Sequence, residues 1–470
     1  MSIRITLLAF VVLGLSIYAW RRDWFGALCG SIMLMAFLER HDNPRMIFGI
    51  LGLNLWNVLF GNVVLAWLVQ RRREGLKWDV PRPLGLAFAA FCGVIVWACL
   101  RAFITPTEFY AGGRVGILVE GLFNSMRFLL PCILLYDGCR TRPRVVMALG
   151  AILLFYGLIA VQVIKRMGVS PVFTGGVLTS RAAKVISKGI GFNRVDVAMM
   201  LAGAAWAILA YSPLVKQRKT RIALWGASGI VLMGLAVTGG RMGYATWAVL
   251  GLGLSLVKWR KLLPLVPIAA LVVVLFMPGV TERLFRGFGQ QTGAVVSESD
   301  EGVITANRSA EWPYVIKMIK ASPLIGYGRW AMIRTGLSSQ LQDELHDLFD
   351  HPHNAYLEML LDNGILGFLL VMPIYLLTVS RSLSLFLDKS NPVYETAGGV
   401  ALCLLLGLLL ASMGAQTLYP REGVVGMWAA VAVAMRVWVE RERSRISDET
   451  PFVEELSASE PGEMDYLPAS

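Results

Sequence analysis

Charge is scarce in this chain. Lys, Arg, Asp and Glu make up 16% of its 470 residues, against about 25% in soluble globular proteins. Histidine is scarcer still, with four in all, and no Lys or Arg follows Arg445 although seven acids do. The six cysteines lie in apolar stretches or, for Cys139, in a short basic loop. They imply no disulfide framework. No small-residue cleavage site follows the first apolar run, so Ile5–Trp20 reads as a retained membrane segment and not a removed signal peptide. Disorder, a disulfide scaffold and a coiled coil are excluded together.

What is present is apolar: 56% of residues are hydrophobic and the mean hydropathy is +0.60. A membrane span needs about 20 mostly apolar residues. Thirteen stretches qualify: Ile5–Trp20, Trp24–Leu38, Met46–Val69, Leu84–Ile104, Ile117–Tyr136, Val145–Ile164, Val195–Tyr211, Ile222–Val237, Met242–Val257, Leu262–Met277, Ile365–Val379, Ala397–Ala415 and Gly423–Val439. The first two are short and could form one broken unit, which leaves twelve. The expected fold is an all-α polytopic membrane helix bundle of 12–13 spans.

The net charge of +12 does not call for nucleic acid, because basic residues in short loops set membrane orientation. Gln70–Pro83, Asp137–Arg144, Ser212–Arg221, Lys258–Lys261 and the run after Val439 are all basic and alternate correctly for one topology. That topology places them in the cytoplasm. The other side receives Thr105–Gly116, Lys165–Arg194, the Thr238–Arg241 turn and the long polar segment Pro278–Gly364. The expected division is an N-terminal bundle (1–277), a helical periplasmic loop capping a lateral cavity (278–364), C-terminal helices (365–440) and an acidic cytoplasmic tail (441–470). Within the loop, Asn307 and Ser309 can cap a helix over Ala310–Ala321 with Pro313 in its first turn. A second helix is expected over Ser338–Phe349, with Leu341, Leu345 and Leu348 on one side.

Three of the four histidines, His346, His351 and His353, fall within eight positions at the end of this loop. Three readings compete for them. They cap and solvate a membrane-entry segment; or His351 and His353 chelate a metal with an acid, at a spacing that matches no strong zinc signature; or one is a general base, its ordinary pKa near 6.5 suited to taking a proton from a hydroxyl. Glu358 and Asp362 could orient the imidazole. Glu120 and Arg127, seven apart on one helix face, could pair. The outside segment Lys165–Arg194 holds Lys165, Arg166, Arg181, Lys184, Lys188 and Arg194 with no acid, against the positive-inside trend; such a cluster can recruit a pyrophosphate or anionic headgroups. Arg241 reads either as a snorkelling interfacial cation or as a functional one beside glycines that allow close approach.

His353-Asn354, nine residues, Gly364, two residues and Gly367 resemble the His-[Asn/Ser/Gln]-x9-Gly-x2-[Gly/Thr/Tyr] motif of O-antigen ligases, which share a superfamily with O-antigen and exopolysaccharide polymerases. Thr238-Gly239-Gly240-Arg241-Met242-Gly243-Tyr244 is similar to that family's Arg-containing turn. Arg308 with Trp312, followed by Ser322-Pro323-Leu324-Ile325-Gly326-Tyr327-Gly328, is similar to its loop signature. Asn193 matches a family Asn weakly.

The resemblance implies an inverting glycosyltransferase that passes a glycan from an undecaprenyl-diphosphate carrier to an acceptor hydroxyl. No cofactor, metal or nucleotide sugar is implied. His353 would be the base, and Arg241 and Arg308 would meet the diphosphate, as bidentate cations suit a leaving group of that kind. Asn354, Tyr356, Arg181, Lys184, Lys188 and Arg194 are the candidate substrate-binding residues. The implied setting is a bacterial inner membrane with the site facing the periplasm. The implied partners are the lipid-linked donor, a glycan or lipid-linked acceptor, the bilayer and other polysaccharide-assembly proteins. Polymerisation of repeat units is favoured over ligation to lipid A-core. A flippase for lipid-linked sugars is the rival from another class, and it leaves the His353 motif unexplained. An exosortase-type transpeptidase would need an outward cysteine, and none is well placed.

Overall fold

The computed structural model describes residues 3–38, 46–47, 50–51, 54–105, 109–174, 178–285, 308–346, 349–414 and 417–447. Asn307, Leu348 and the acidic tail beyond Ser447 lie outside them. The labelled helices are α1 (Ile3–Arg21), α2 (Trp24–Leu38), α3 (Leu55–Arg73), α4 (Arg82–Ile104), α5 (Gly113–Gly138, with a π-helical stretch at Ile117–Asn124), α6 (Arg142–Met167), α7 (Leu178–Ile190), α8 (Arg194–Ala210), α9 (Arg218–Thr238), α10 (Arg241–Val257), α11 (Leu265–Phe276), α12 (Pro278–Phe285), α13 (Arg308–Ala321), α14 (Leu337–Leu345), α15 (Ala355–Leu387), α16 (Pro392–Ala411) and α17 (Val425–Ser447). Two-residue strands, Met46–Ile47 and Ile50–Leu51, pair antiparallel. The protein is an all-α polytopic bundle. Among the described residues nine helices are long and apolar enough to cross a bilayer, and α11 with α12, bent by 104°, makes up to ten. The other apolar stretches of the sequence, α2, α3 and α10, are helical too.

Helix ends follow from local chemistry. Asn54, Asn193, Asn354 and Asn391 each cap a helix by accepting a backbone N–H. Asn54 also corrects the sequence reading of a span from Met46: α3 begins at Leu55, because hydropathy does not register a cap. Helices α8, α16 and α17 form the buried centre, and α1 lies at the edge. Small residues allow close crossings there; a Cβ on Gly407 would lie 3.1 Å from the Gly203 Cα.

The two ends of the bundle differ. At one end, Asp79 takes Arg140, Arg436 and Arg443, Asp137 takes Arg71, and Lys258 pairs with Glu395. Burial alone would raise the Asp79 carboxyl, but hydrogen bonds and charge from these arginines outweigh it and hold the group at about 2. These groups belong to the basic loops that the sequence assigns to one side. At the other end sit the N-termini of α8, α10, α15 and α17, the C-termini of α4, α9 and α16, and the loop cap.

The cap has its own core of Val315, Met332, Leu337, Leu341, Phe349 and Leu361. Its first helix starts at Arg308, so Pro313 lies in the second turn and not the first. Its second helix stops at His346, which turns left-handed with φ 54°. Arg101 at the end of α4 donates to the carbonyls of Ile325 and Gly326, and Arg334 donates to Arg329, Tyr327 and Thr105. The polar segment ends at Asn354, ten residues earlier than expected, because α15 begins there. A groove of about 440 Å³ opens between α1 and α3, lined by Val12, Ser16, Trp20, Leu55 and Asn62 among others. None of its lining residues belongs to the cap or the His353 segment.

Candidate active site

The first turns of α13 aim Glu311 and Trp312 at the loop before α15, and Arg308 at the segment that follows α16. Arg308, Glu311 and Trp312 stand at i, i+3 and i+4, hence on one face. Arg308 donates to the Gly414 carbonyl at 3.3 Å, and Trp312 Nε1 donates to the Pro352 carbonyl at 2.9 Å. Glu311, 0% exposed, places Oε2 3.5 Å from His353 Nδ1. Burial lowers the Arg308 guanidinium, and Glu311 opposes that shift.

His353 occupies a left-handed backbone with φ 47°. That conformation is uncommon outside glycine and is retained where the surroundings impose it. Here Trp312 fixes Pro352 on one side, while Asn354 on the other caps α15 through the N–H groups of Tyr356 and Leu357. The ring of His351 stands 4.3 Å from that of His353. Burial first, then the charges of His353, Arg421, Arg329 and Arg308, push His351 down to about 3. His351 is therefore neutral near pH 7.

Gly364 breaks α15 internally with φ 63° and ψ −170°. The break frees backbone groups that the cap segment then takes up. Tyr327 and Gly328 donate to the carbonyls of Leu361 and Asp362, while Ile365 and Leu366 donate to Pro323 and Leu324. Two stretches of sequence some forty positions apart are thus two sides of one backbone seam. Beneath it lies a buried group. Arg329 pairs with Glu358 at 2.7 Å and Asp362 at 3.3 Å, with its guanidinium 3.8 Å from the Tyr419 ring centroid and 5.0 Å from that of Trp330. Its carboxylate partners outweigh burial and keep Arg329 firmly charged.

The Gly239-Gly240 turn is braced from two sides. Arg194 donates to the carbonyls of Thr238 and Gly239, and Arg283 Nε also reaches Gly239. Arg241 is the half-buried first residue of α10. Its neighbour Met242 packs where Arg308 does: a Cβ on Gly414 would meet Met242 Cγ at 2.4 Å and Arg308 Nη1 at 2.9 Å. Arg421, at the start of α17, bonds the buried Asp196 of α8.

Residues 226–372 match the family model described as O-antigen ligase. That stretch, under a third of the chain, is similar to the O-antigen ligase family. No curated protein matches the chain. The match supports the O-antigen ligase and polymerase superfamily, whose activity at family level is glycan transfer of the ligase or polymerase type. The matched stretch runs from the middle of α9 into α15 and contains Arg241, Arg308 and His353; Arg194 and Arg421 lie outside it.

The sequence reading needs correction at several residues in and around the matched stretch. Glu358 and Asp362 do not face His353; they are taken by Arg329, and the acid beside the imidazole is Glu311, from a helix more than forty positions earlier. Arg127 bonds Asn57 at 2.7 Å and Glu120 accepts from Tyr110 at 3.4 Å, in place of the pair expected between them. Asn354 is engaged as a helix cap, and Tyr356 donates its hydroxyl to the Leu409 carbonyl. Lys184 and Lys188 are exposed on α7, whose opposite face buries Ala182, Ile186 and Ile190; Arg181 is on the same helix. Glu311, Arg329 and Arg421 were missed. Glu311 and Arg329 had one signal each: a charge beside Trp312 inside the loop signature, and a charge directly after Gly328, where that signature ends.

Proposed function

We propose that this protein transfers a glycan from an undecaprenyl diphosphate carrier to an acceptor sugar hydroxyl at the periplasmic face of a bacterial inner membrane, with inversion and without a metal. The observation that carries this reading is the convergence of α13 on the His353 loop. One helix turn presents Arg308 while its neighbours hold the backbone of a strained histidine, and Met242, next to Arg241, packs against the same glycine as Arg308. Among the described residues no group of three or more His, Cys, Asp or Glu is arranged so that it could hold a metal ion.

In this mechanism His353 takes the proton of the acceptor hydroxyl as its oxygen attacks the anomeric carbon. The new C–O bond forms on one face of the sugar as the bond to the diphosphate oxygen breaks on the other, which inverts that carbon. The electron pair leaves with the diphosphate, whose developing charge meets the fixed guanidinium groups of Arg241 and Arg308. The exposed lysines of α7, with Arg181, would draw the anionic donor toward this end of the bundle, and Arg194 would hold the turn that carries Arg241. Polymerisation of repeat units is the leading form of the reaction; ligation to lipid A-core is the second, favoured by the description of the matched family.

The test is purified protein in proteoliposomes with an undecaprenyl-diphosphate oligosaccharide, with and without a lipid A-core acceptor. Lengthened carrier-linked glycan supports polymerisation, and glycan on the core supports ligation. Free undecaprenyl diphosphate appears in either case and disappears in His353→Ala and Arg241→Ala. Full transfer by His353→Ala removes the base from the mechanism. Loss of transfer to a chelator, restored by zinc, removes metal independence.

A further inference from the structure

We propose that Glu311 is a positioning residue that selects the tautomer of His353, holding Nδ1–H toward its own carboxylate and leaving Nε2 as the proton acceptor. The inference rests on the general-base reading of His353. A neutral imidazole has one donor and one acceptor nitrogen, and the partner of one nitrogen decides which role the other plays. The 3.5 Å between Glu311 Oε2 and His353 Nδ1 is a distance that tightens readily on substrate binding.

Several features aim Glu311 at the His353 loop and favour negative charge at its position. It lies in the opening turns of α13, where the helix dipole favours negative charge. The Arg308 guanidinium, one turn earlier, interacts with it electrostatically. Trp312, the next residue, fastens Pro352, so the acid and the loop it addresses are set by adjacent positions of one helix. The charged and titratable groups around the pair are Arg308 on α13, His351 and Asp350 on the loop itself, and Arg329 and Arg421, which face His351 from the cap and the start of α17. His351 is neutral there and cannot replace the carboxylate. His353 keeps 31% of its side chain exposed, while Glu311 has none, so the remaining nitrogen is the one left for an incoming hydroxyl.

The test is ¹⁵N NMR of the full-length protein labelled at histidine, with four imidazoles to assign, alongside transfer kinetics with an undecaprenyl-diphosphate oligosaccharide. Wild type shows His353 as the Nδ1–H tautomer. Glu311→Gln, which keeps the side-chain shape, shows a mixture of tautomers, and kcat falls roughly 100-fold, within the range that a well-oriented base supplies, with KM little changed. Glu311→Asp, a carboxylate on a shorter arm, recovers part of both signals. An Nε2–H tautomer in wild type, or a Gln variant that keeps the wild-type tautomer, overturns the inference. A wild-type protein with the Nδ1–H tautomer and no transfer overturns the proposed reaction and leaves the pair standing.

Discussion

Gly364 of α15 and Leu324 of the cap meet backbone to backbone. A Cβ on Gly364 would lie 2.3 Å from the Leu324 carbonyl, at a φ of 63° that L side chains rarely adopt. Gly364→Ala is therefore expected to open the seam between cap and helix, at about 1–3 kcal/mol for the conformation alone and more for the overlap. Thermal melting in detergent should show the loss, with transfer falling because the cap shifts. A variant with wild-type melting and transfer would remove the seam from the account of how the cap is held.

Arg329 separates two buried carboxylates. Replacing it by Gln leaves Glu358 and Asp362 facing each other without a cation, a change expected to cost about 3–5 kcal/mol. The melting temperature should drop, and Glu358→Gln added to the same chain should restore part of it. A stable Arg329→Gln protein would show that water reaches the group.

His351 makes stability depend on pH in a definite sense. Its folded value of about 3 lies below the ordinary 6.5, so the unfolded chain binds the proton more readily between those limits. Stability should fall as pH drops through that window and be indifferent to this group above it. His351→Gln should flatten the slope between pH 6.5 and 5, read from unfolding in detergent at several pH values. An unchanged slope would assign it to other groups.

Arg308→Lys keeps a charge but loses the planar, bidentate guanidinium. Transfer, read as kcat/KM, should fall about 10- to 100-fold, since each 1.4 kcal/mol of lost stabilisation is a factor of ten. Lys184→Gln with Lys188→Gln should instead weaken capture of the donor by roughly 1 kcal/mol per charge, seen in KM and relieved at high donor concentration. Equal losses in kcat from both sets would contradict the separation of leaving-group contact from recruitment.

The sequence by itself determined the class, the order of the apolar helices with two of their starts displaced by nine or ten residues, the two-sided distribution of charge and the stretches that carry His353, Arg241 and Arg308. These are properties of composition, period and short spacing, and lipid enforces them by leaving polar backbone no alternative to the helix. Only the tertiary structure decided which acid lies beside His353. From the sequence Glu358 and Asp362 looked closest to His353, yet Arg329 claims them, because a guanidinium buried at the cap seam requires carboxylates near it. Glu311 reaches the imidazole through the angle at which α13 crosses the loop, a relation between helices and not between neighbours in sequence. The glycines of the motif divide in the same way. Their spacing was legible, but that Gly364 serves a backbone seam became visible only where Leu324 lay against it.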